Sequence, residues 1–357
     1  MSLKKDNLDL GAPYRQLHFA KKVVVVDGMI GGGKALLASI ISSLPKVEMW
    51  LSKSYIEQII ALYHLDHISL DAAKTLINLS MDEELYNQNI GRNINFKPSD
   101  ASGVFKCARP LKYLKRLFKN PLKAKESIET EKPILNLMTH VITSYAKPLF
   151  EALGENLVYI RVCRHPMSTY MLNHNAQWTE RWEKDGRHNH ILYKTLDLNS
   201  NPIYLPYYAK NIEKAYLKSN YIDRAILLFD QWIRNSDNFI DGVKKSTPAK
   251  IIEIPYEKFV FQPEAYIEKI ALLLGVKPDN KTKKMMRRQG VPRNSLTDAP
   301  KNKYFLDMGW EAPTKKITLG ESFAEGRAYA AKTASVESLL ILDKLAEDYR
   351  ARYNLSI

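Results

Sequence analysis

The sequence predicts an α/β fold: a P-loop-type parallel sheet flanked by helices on both faces, with a helical insertion after the first βα unit. Three observations predict it. Strand-like apolar runs alternate with helical spacing along the chain, the pattern of βαβ units. The first run, Val23–Val26, is continuous and β-branched, as in a strand buried on both faces. That run leads straight into a glycine-rich turn, Gly28-Met-Ile-Gly-Gly-Gly33, followed by Lys34 and a helical stretch. The whole chain, residues 1–357, reads as a single domain of this kind.

The elements follow in order. Residues 1–20 read as an arm entering the first strand. Helical spacing over Lys34–Ser43 follows the glycine turn, and Val47–Leu51 reads as a second strand. Residues 53–130 form the insertion. Within it, YIEQIIALYHL, DAAKTLINL and MDEELYNQNI are helical runs separated by polar breaks, 92–108 is an irregular loop, and 109–127 is a strongly basic amphipathic helix. Strand character returns at Pro133–Met138, then a helix over Ile142–Leu153, then a buried strand at Leu157–Val162. Residues 180–210 are polar and aromatic without a clean period, which predicts a long loop acting as a lid. A helix over 221–240, a strand at Ala249–Ile254 and a helix at Pro263–Leu274 complete the alternation. The remainder, 277–357, is a basic, Pro-rich loop to 316 and one long helix over about 322–351.

Composition limits the function. The net charge of +14 favours an anionic partner, whether a phosphorylated or sulfated ligand, nucleic acid or a membrane surface. Two cysteines, Cys107 and Cys163, make no disulfide framework, so a reducing compartment is expected. The N-terminus is too polar for a secretory signal, and apolar runs fall short of a membrane helix, so a cytoplasmic protein is expected.

The glycine turn matches the first seven places of G-x-x-x-x-G-K-[ST]. Glycines at 28, 31, 32 and 33 let backbone N–H groups approach phosphate oxygens, the helix start adds favourable partial charge, and Lys34 brings a full charge. Ala35 stands where a P-loop hydrolase carries the hydroxyl that ligates Mg²⁺. Phosphate recognition without a metal is therefore expected.

Three further segments have a suggestive order: PILNLMTH ending at His140, YIRVCRHP carrying Arg164, and IIEIPYEKF carrying Tyr256 and Glu257. With the glycine turn, this order resembles the sulfotransferase superfamily, which transfers a sulfuryl group from 3′-phosphoadenosine-5′-phosphosulfate (PAPS) and leaves adenosine 3′,5′-bisphosphate (PAP). The resemblance covers residues 22–45 and 132–276. It implies that Gly28–Leu37 binds the 5′-phosphate, that His140 is the general base, and that Arg164 binds the 3′-phosphate. It implies that Arg287, Arg288 and Gly290 also hold that phosphate. The family's catalytic cation falls on Gly31 here, so Lys34 takes that role, beside Ala35. The family's phosphate-binding serine falls on Leu172, so Ser168, Thr169 or Asn173 replaces it. The implied acceptor is a hydroxyl or amine of a small molecule or glycan, with no specific nucleic acid and no metal. Two alternatives remain open from the residues: an ATP-dependent small-molecule kinase, because Lys34 sits at the kinase position, and a non-catalytic nucleotide or polyanion binder. Tyr204, Tyr207 and Tyr208 are candidate acceptor contacts, and His188 with His190 a weak metal candidate.

Overall fold

The computed structural model describes residues 11–52, 54–184, 191–197, 199–298 and 316–356, with the backbone alone for 182–184. The histidines at 188 and 190 lie outside the described residues. Among the described residues the strands are β1 (Val23–Gly28), β2 (Leu51–Ser52), β3 (Leu135–Met138), β4 (Leu157–Cys163), β5 (Leu192–Leu196), β6 (Pro202–Pro206) and β7 (Lys250–Pro255). Five of them form one parallel sheet in the order β2-β3-β1-β4-β7. In the centre, Val23 pairs with Leu135 on one side and with Leu157 on the other.

The valine run explains the layers. Side chains alternate across a strand, so Val24 and Val26 enter one core while Val23 and Val25 enter the other. The first core is built with α1 (Lys34–Ile41), through Leu37 and Ile40. The second is built with α2 (Ser54–His64) and α3 (Leu70–Asn89), through Ile56, Ile60, Ile77 and Met81. After α3 come α4 (Pro110–Arg116), α5 (Ala124–Glu131), α6 (Lys147–Leu153), α7 (Thr169–Lys184), α8 (Glu213–Lys218) and α9 (Tyr221–Val243). Beyond β7 lie α10 (Tyr256–Phe261), α11 (Pro263–Leu274), α12 (Asn280–Arg288), α13 (Leu319–Ala330) and α14 (Val336–Tyr353).

Several elements depart from the sequence reading. The second strand shrinks to Leu51–Ser52 plus an isolated bridge from Val47 to Ile134. Side chains take the ladder's donors there: the Met49 N–H donates to the Tyr113 hydroxyl and the Trp50 N–H to Ser42 Oγ. Two helical runs of the insertion fuse into the 20-residue α3. The basic segment splits into α4 and α5 because Pro121 has no N–H to continue a helix. Pro148 near the start of α6 has the same effect upstream, where Thr143–Tyr145 is a 3-10 turn. The C-terminal helix is two, since the Ser335 side chain caps a fresh start at α14. The largest correction concerns 180–210. Its described residues are not an irregular loop: α7 runs in as far as Lys184, and β5 and β6 pair antiparallel as a hairpin. Tyr207 and Tyr208 are buried in a core beneath that hairpin, and Tyr204 is exposed.

Candidate active site

Parallel α/β sheets bind ligands at the carboxyl ends of their strands. Here those ends carry Gly28 on β1, Arg164 just past β4 and Tyr256 just past β7, with His140 two residues beyond β3. The loop after β1 is tight: the Gly32 N–H donates to the Met29 carbonyl at 3.0 Å. Gly33 caps α1 in the left-handed region, and a Cβ there would lie 2.5 Å from the Tyr256 ring, so only glycine fits. Ala35 lies in the first turn of α1, partly buried against the core.

Lys34 is drawn into this loop. Its Nζ donates to the carbonyls of Gly28 at 2.8 Å and Met29 at 2.6 Å, and the residue is 4% exposed. Burial lowers its pKa to about 8, against the opposing charges of Asp27 and Glu57. It is therefore mostly an ammonium at neutral pH, held by carbonyls that an incoming phosphate would compete with.

Beneath the loop sits Asp27, fully buried. Its carboxylate accepts from Thr139 Oγ1 at 3.0 Å, the Thr143 N–H at 2.9 Å, Thr143 Oγ1 at 2.5 Å and the Tyr159 hydroxyl at 3.1 Å. It ties the end of β1 and the middle of β4 to the turn after β3. Sequence reasoning missed Asp27, although an acid closing a four-valine strand was a visible signal.

Arg164 reaches back over the loop. Its Nη1 donates to the Gly31 carbonyl at 2.8 Å, and its guanidinium lies 4.4 Å from the ring centre of Tyr256 and 5.4 Å from that of Tyr170. Arg293, also missed, approaches the same tyrosine: Nη1 donates to the Tyr256 hydroxyl at 2.9 Å and Nε to the Gly290 carbonyl at 3.0 Å. Its neighbours in the basic run diverge. Thr282 contacts the end of α1 at Ser43, and Met285 lines a small cavity with Ser39 and Ser42, so α12 runs antiparallel to α1. Gly290 is thereby brought to the loop end. Arg288 donates to the Lys106 carbonyl at 3.1 Å, and Arg287 lines an open depression of about 300 Å³ with Asn280, Lys281, Lys283 and Lys284.

α7 supports the loop in a way that spacing did not reveal. Asn175 donates through Nδ2 to the Ile30 carbonyl at 2.9 Å, and Tyr170 packs beside Gly31. Ser168 sits just before the first turn of α7, where its Oγ accepts from the Met171 N–H at 3.5 Å. Asn173 accepts from the Tyr329 hydroxyl of α13 at 2.9 Å, and Leu172 is core. Glu257 is bound inward as well: its carboxylate accepts from the His165 N–H at 3.1 Å and the Tyr349 hydroxyl at 2.6 Å.

His140 borders the loop on the other side. The next residue, Val141, donates its N–H to the Gly28 carbonyl at 3.2 Å and holds φ at 57°, a strained conformation for a β-branched residue. Glu57, on α2, receives both the backbone N–H and the ring Nδ1 of His140 on one oxygen, each at 2.9 Å. An ionised carboxylate only accepts, so Nδ1 carries a hydrogen, and in the neutral imidazole Nε2 is then the nitrogen with the lone pair. The His140 side chain is 31% exposed. Glu57 lay in the insertion, where no motif marked it.

No family model and no curated protein sequence matches the chain. Among solved structures, the chain is similar to the sulfotransferase domain of a Synechococcus olefin synthase, at 15% identity and a TM-score of 0.42, over 97% of this chain and 98% of that one. It is similar to the sulfotransferase domain of the curacin biosynthetic pathway at 14% identity and 0.40, over 87% and 97%. A sulfotransferase from Mycobacterium avium gives 10% identity and 0.41, over 95% and 78%.

Proposed function

We propose that the chain is a sulfotransferase-type enzyme that moves a sulfuryl group from PAPS to a hydroxyl or amine of a small molecule or glycan in the cytoplasm. One observation carries this reading. A half-exposed histidine with a free Nε2, oriented by Glu57, borders a glycine loop that holds a buried lysine ammonium and the Arg164 guanidinium. In the proposed step, the acceptor oxygen or nitrogen bonds to sulfur as the bond from sulfur to the bridging phosphate oxygen breaks. His140 Nε2 takes the acceptor proton. Lys34 and the loop N–H groups meet the charge that develops on the departing phosphate. Arg164, with Arg293 beyond Tyr256, supplies the cationic side for the second phosphate of the nucleotide. This chemistry asks for a base, fixed cations and in-line placement; His140, Lys34 and Arg164 support the reading as candidates for the first two.

Calorimetric titration of the full chain with PAP and with ATP, each with and without Mg²⁺, tests the proposal. Metal-independent binding of the bisphosphate, stronger than that of ATP, is the expected result. A preference for Mg-ATP would sink it in favour of a kinase, and binding of neither would refute nucleotide use.

A further inference from the structure

Between Asp100 and Glu126 the sequence has eight lysines and arginines and no acid. Part of that charge is structural. Arg116 and Lys112 clamp the buried Glu48, whose pKa burial would raise but the two cations bring down to about 2. This bolts α4 to the sheet through Tyr113 and Arg116. The opposite side of α4 points outward and is not purely polar. Leu111 is 69% exposed, Phe118 90% and Leu122 91%. Helical turns continue past α4, since the N–H groups of Phe118 and Lys119 donate to the carbonyls of Lys115 and Arg116. Leu111, Lys115 and Phe118 are thus spaced i, i+4 and i+7, along one side. Exposed lysines at 106, 115, 123 and 125 surround these apolar tips. The cationic face of α12 adjoins them, joined by Arg109 to Asp279 at 2.7 Å and by Arg288 to the Lys106 carbonyl.

We infer that this surface is a docking site for an anionic lipid bilayer, into whose interface Phe118 and Leu122 insert while the lysines engage the headgroups. Large apolar side chains projecting alone into water have no partner in the fold. The nearest acids lie on α5, where Glu131 pairs with Arg116 and Lys119 and Glu126 and Glu129 are exposed. Apolar tips set among a larger number of cations match an interface whose outer layer is negative and whose inner layer is apolar. A soluble polyanion would use the cations and leave the two tips in water. No helix among the described residues is long and apolar enough to cross a membrane, so the attachment is to one leaflet's surface.

Sedimentation of the full chain with phosphatidylcholine vesicles, and with vesicles enriched in phosphatidylglycerol, tests the inference. Binding to the anionic vesicles alone is expected. Phe118→Ser and Leu122→Ser should each weaken it by about tenfold, the value of one large side chain leaving an apolar phase. Lys115→Glu with Lys123→Glu should weaken it at least as much. All four positions are exposed, so the variants keep the fold. A Phe118→Trp variant should gain blue-shifted emission with anionic vesicles, relative to the unsubstituted chain. No binding to anionic vesicles, or binding indifferent to Phe118→Ser with Leu122→Ser, overturns the inference. So does a dimer in analytical ultracentrifugation that this double variant breaks, which would assign the surface to a second copy of the chain.

Discussion

Two histidines, each beside a glutamate, lie past the ends of strands in the same sheet, and they have opposite fates. His165 is buried, stacked on Phe323 at 3.5 Å between ring centres, and its pKa falls to about 3 through burial and the charge of Arg350. Its glutamate, Glu257, is bonded to the His165 backbone and to Tyr349. His140 is partly exposed, and Glu57 binds its ring at Nδ1. The same two residue types thus make a rivet at the end of β4 and an oriented, partly exposed imidazole past the end of β3. What separates them is whether the carboxylate meets the ring or the backbone alone, and whether an aromatic side chain covers the imidazole.

Substitutions break this comparison cleanly. His140→Ala should reduce turnover by about 10² to 10⁴ while the affinity for PAP, read by calorimetry, stays unchanged. His165→Ala should do the reverse. Stability falls by about 2–3 kcal/mol, visible as a lower denaturant midpoint, and turnover per folded molecule survives. If His165→Ala abolishes turnover at full stability, the two roles have been exchanged. Lys34→Ala removes charge-assisted contacts worth about 1.5–3 kcal/mol, so PAP affinity should drop roughly tenfold to a hundredfold. Normal affinity in that variant would refute the assignment of the loop. Glu57→Gln should lower kcat, as loss of an orienting carboxylate does, without changing PAP affinity; a change in affinity alone would make Glu57 a loop residue.

The smallest effect is one of pH. The pKa of Lys34 in the folded chain is about 8, below its ordinary 10.5. PAP affinity should therefore weaken as pH rises through about 8, by at most about tenfold per unit, and binding near that pH should take up a proton. The stability term has the opposite sense. Between about 8 and 10.5 the unfolded chain holds this proton and the folded chain does not, so Lys34's contribution to stability rises with pH across that window. Flat affinity across pH 7 to 9 would show that Lys34 does not meet the ligand as an ammonium.

The sheet was legible because its signals are local. A run of four valines, a glycine turn and alternating periods report burial and backbone geometry directly, as the alternate cores on Val24 and Val23 illustrate. Gly33 and Lys34 were legible for the same reason. The hairpin of β5 and β6 was not, because its exposed edge needs little apolar alternation and its strands are short. Asn175, Arg293 and Glu57 were hidden by distance in the chain. Each meets the site from a different element, and no residue type announces which surface of a helix will face a loop 83 or 145 positions away.

Glu57 carries a consequence for how such a chain can change. His140 stands just past a strand of the sheet, and the carboxylate that holds its ring stands on the first helix of the insertion. Under the proposed function, reaction and selectivity are therefore not separate modules. Exchanging the inserted segment for another to accept a different molecule would also remove the carboxylate that holds the His140 ring. Diversification at this face is confined to changes that leave one turn of α2 in place.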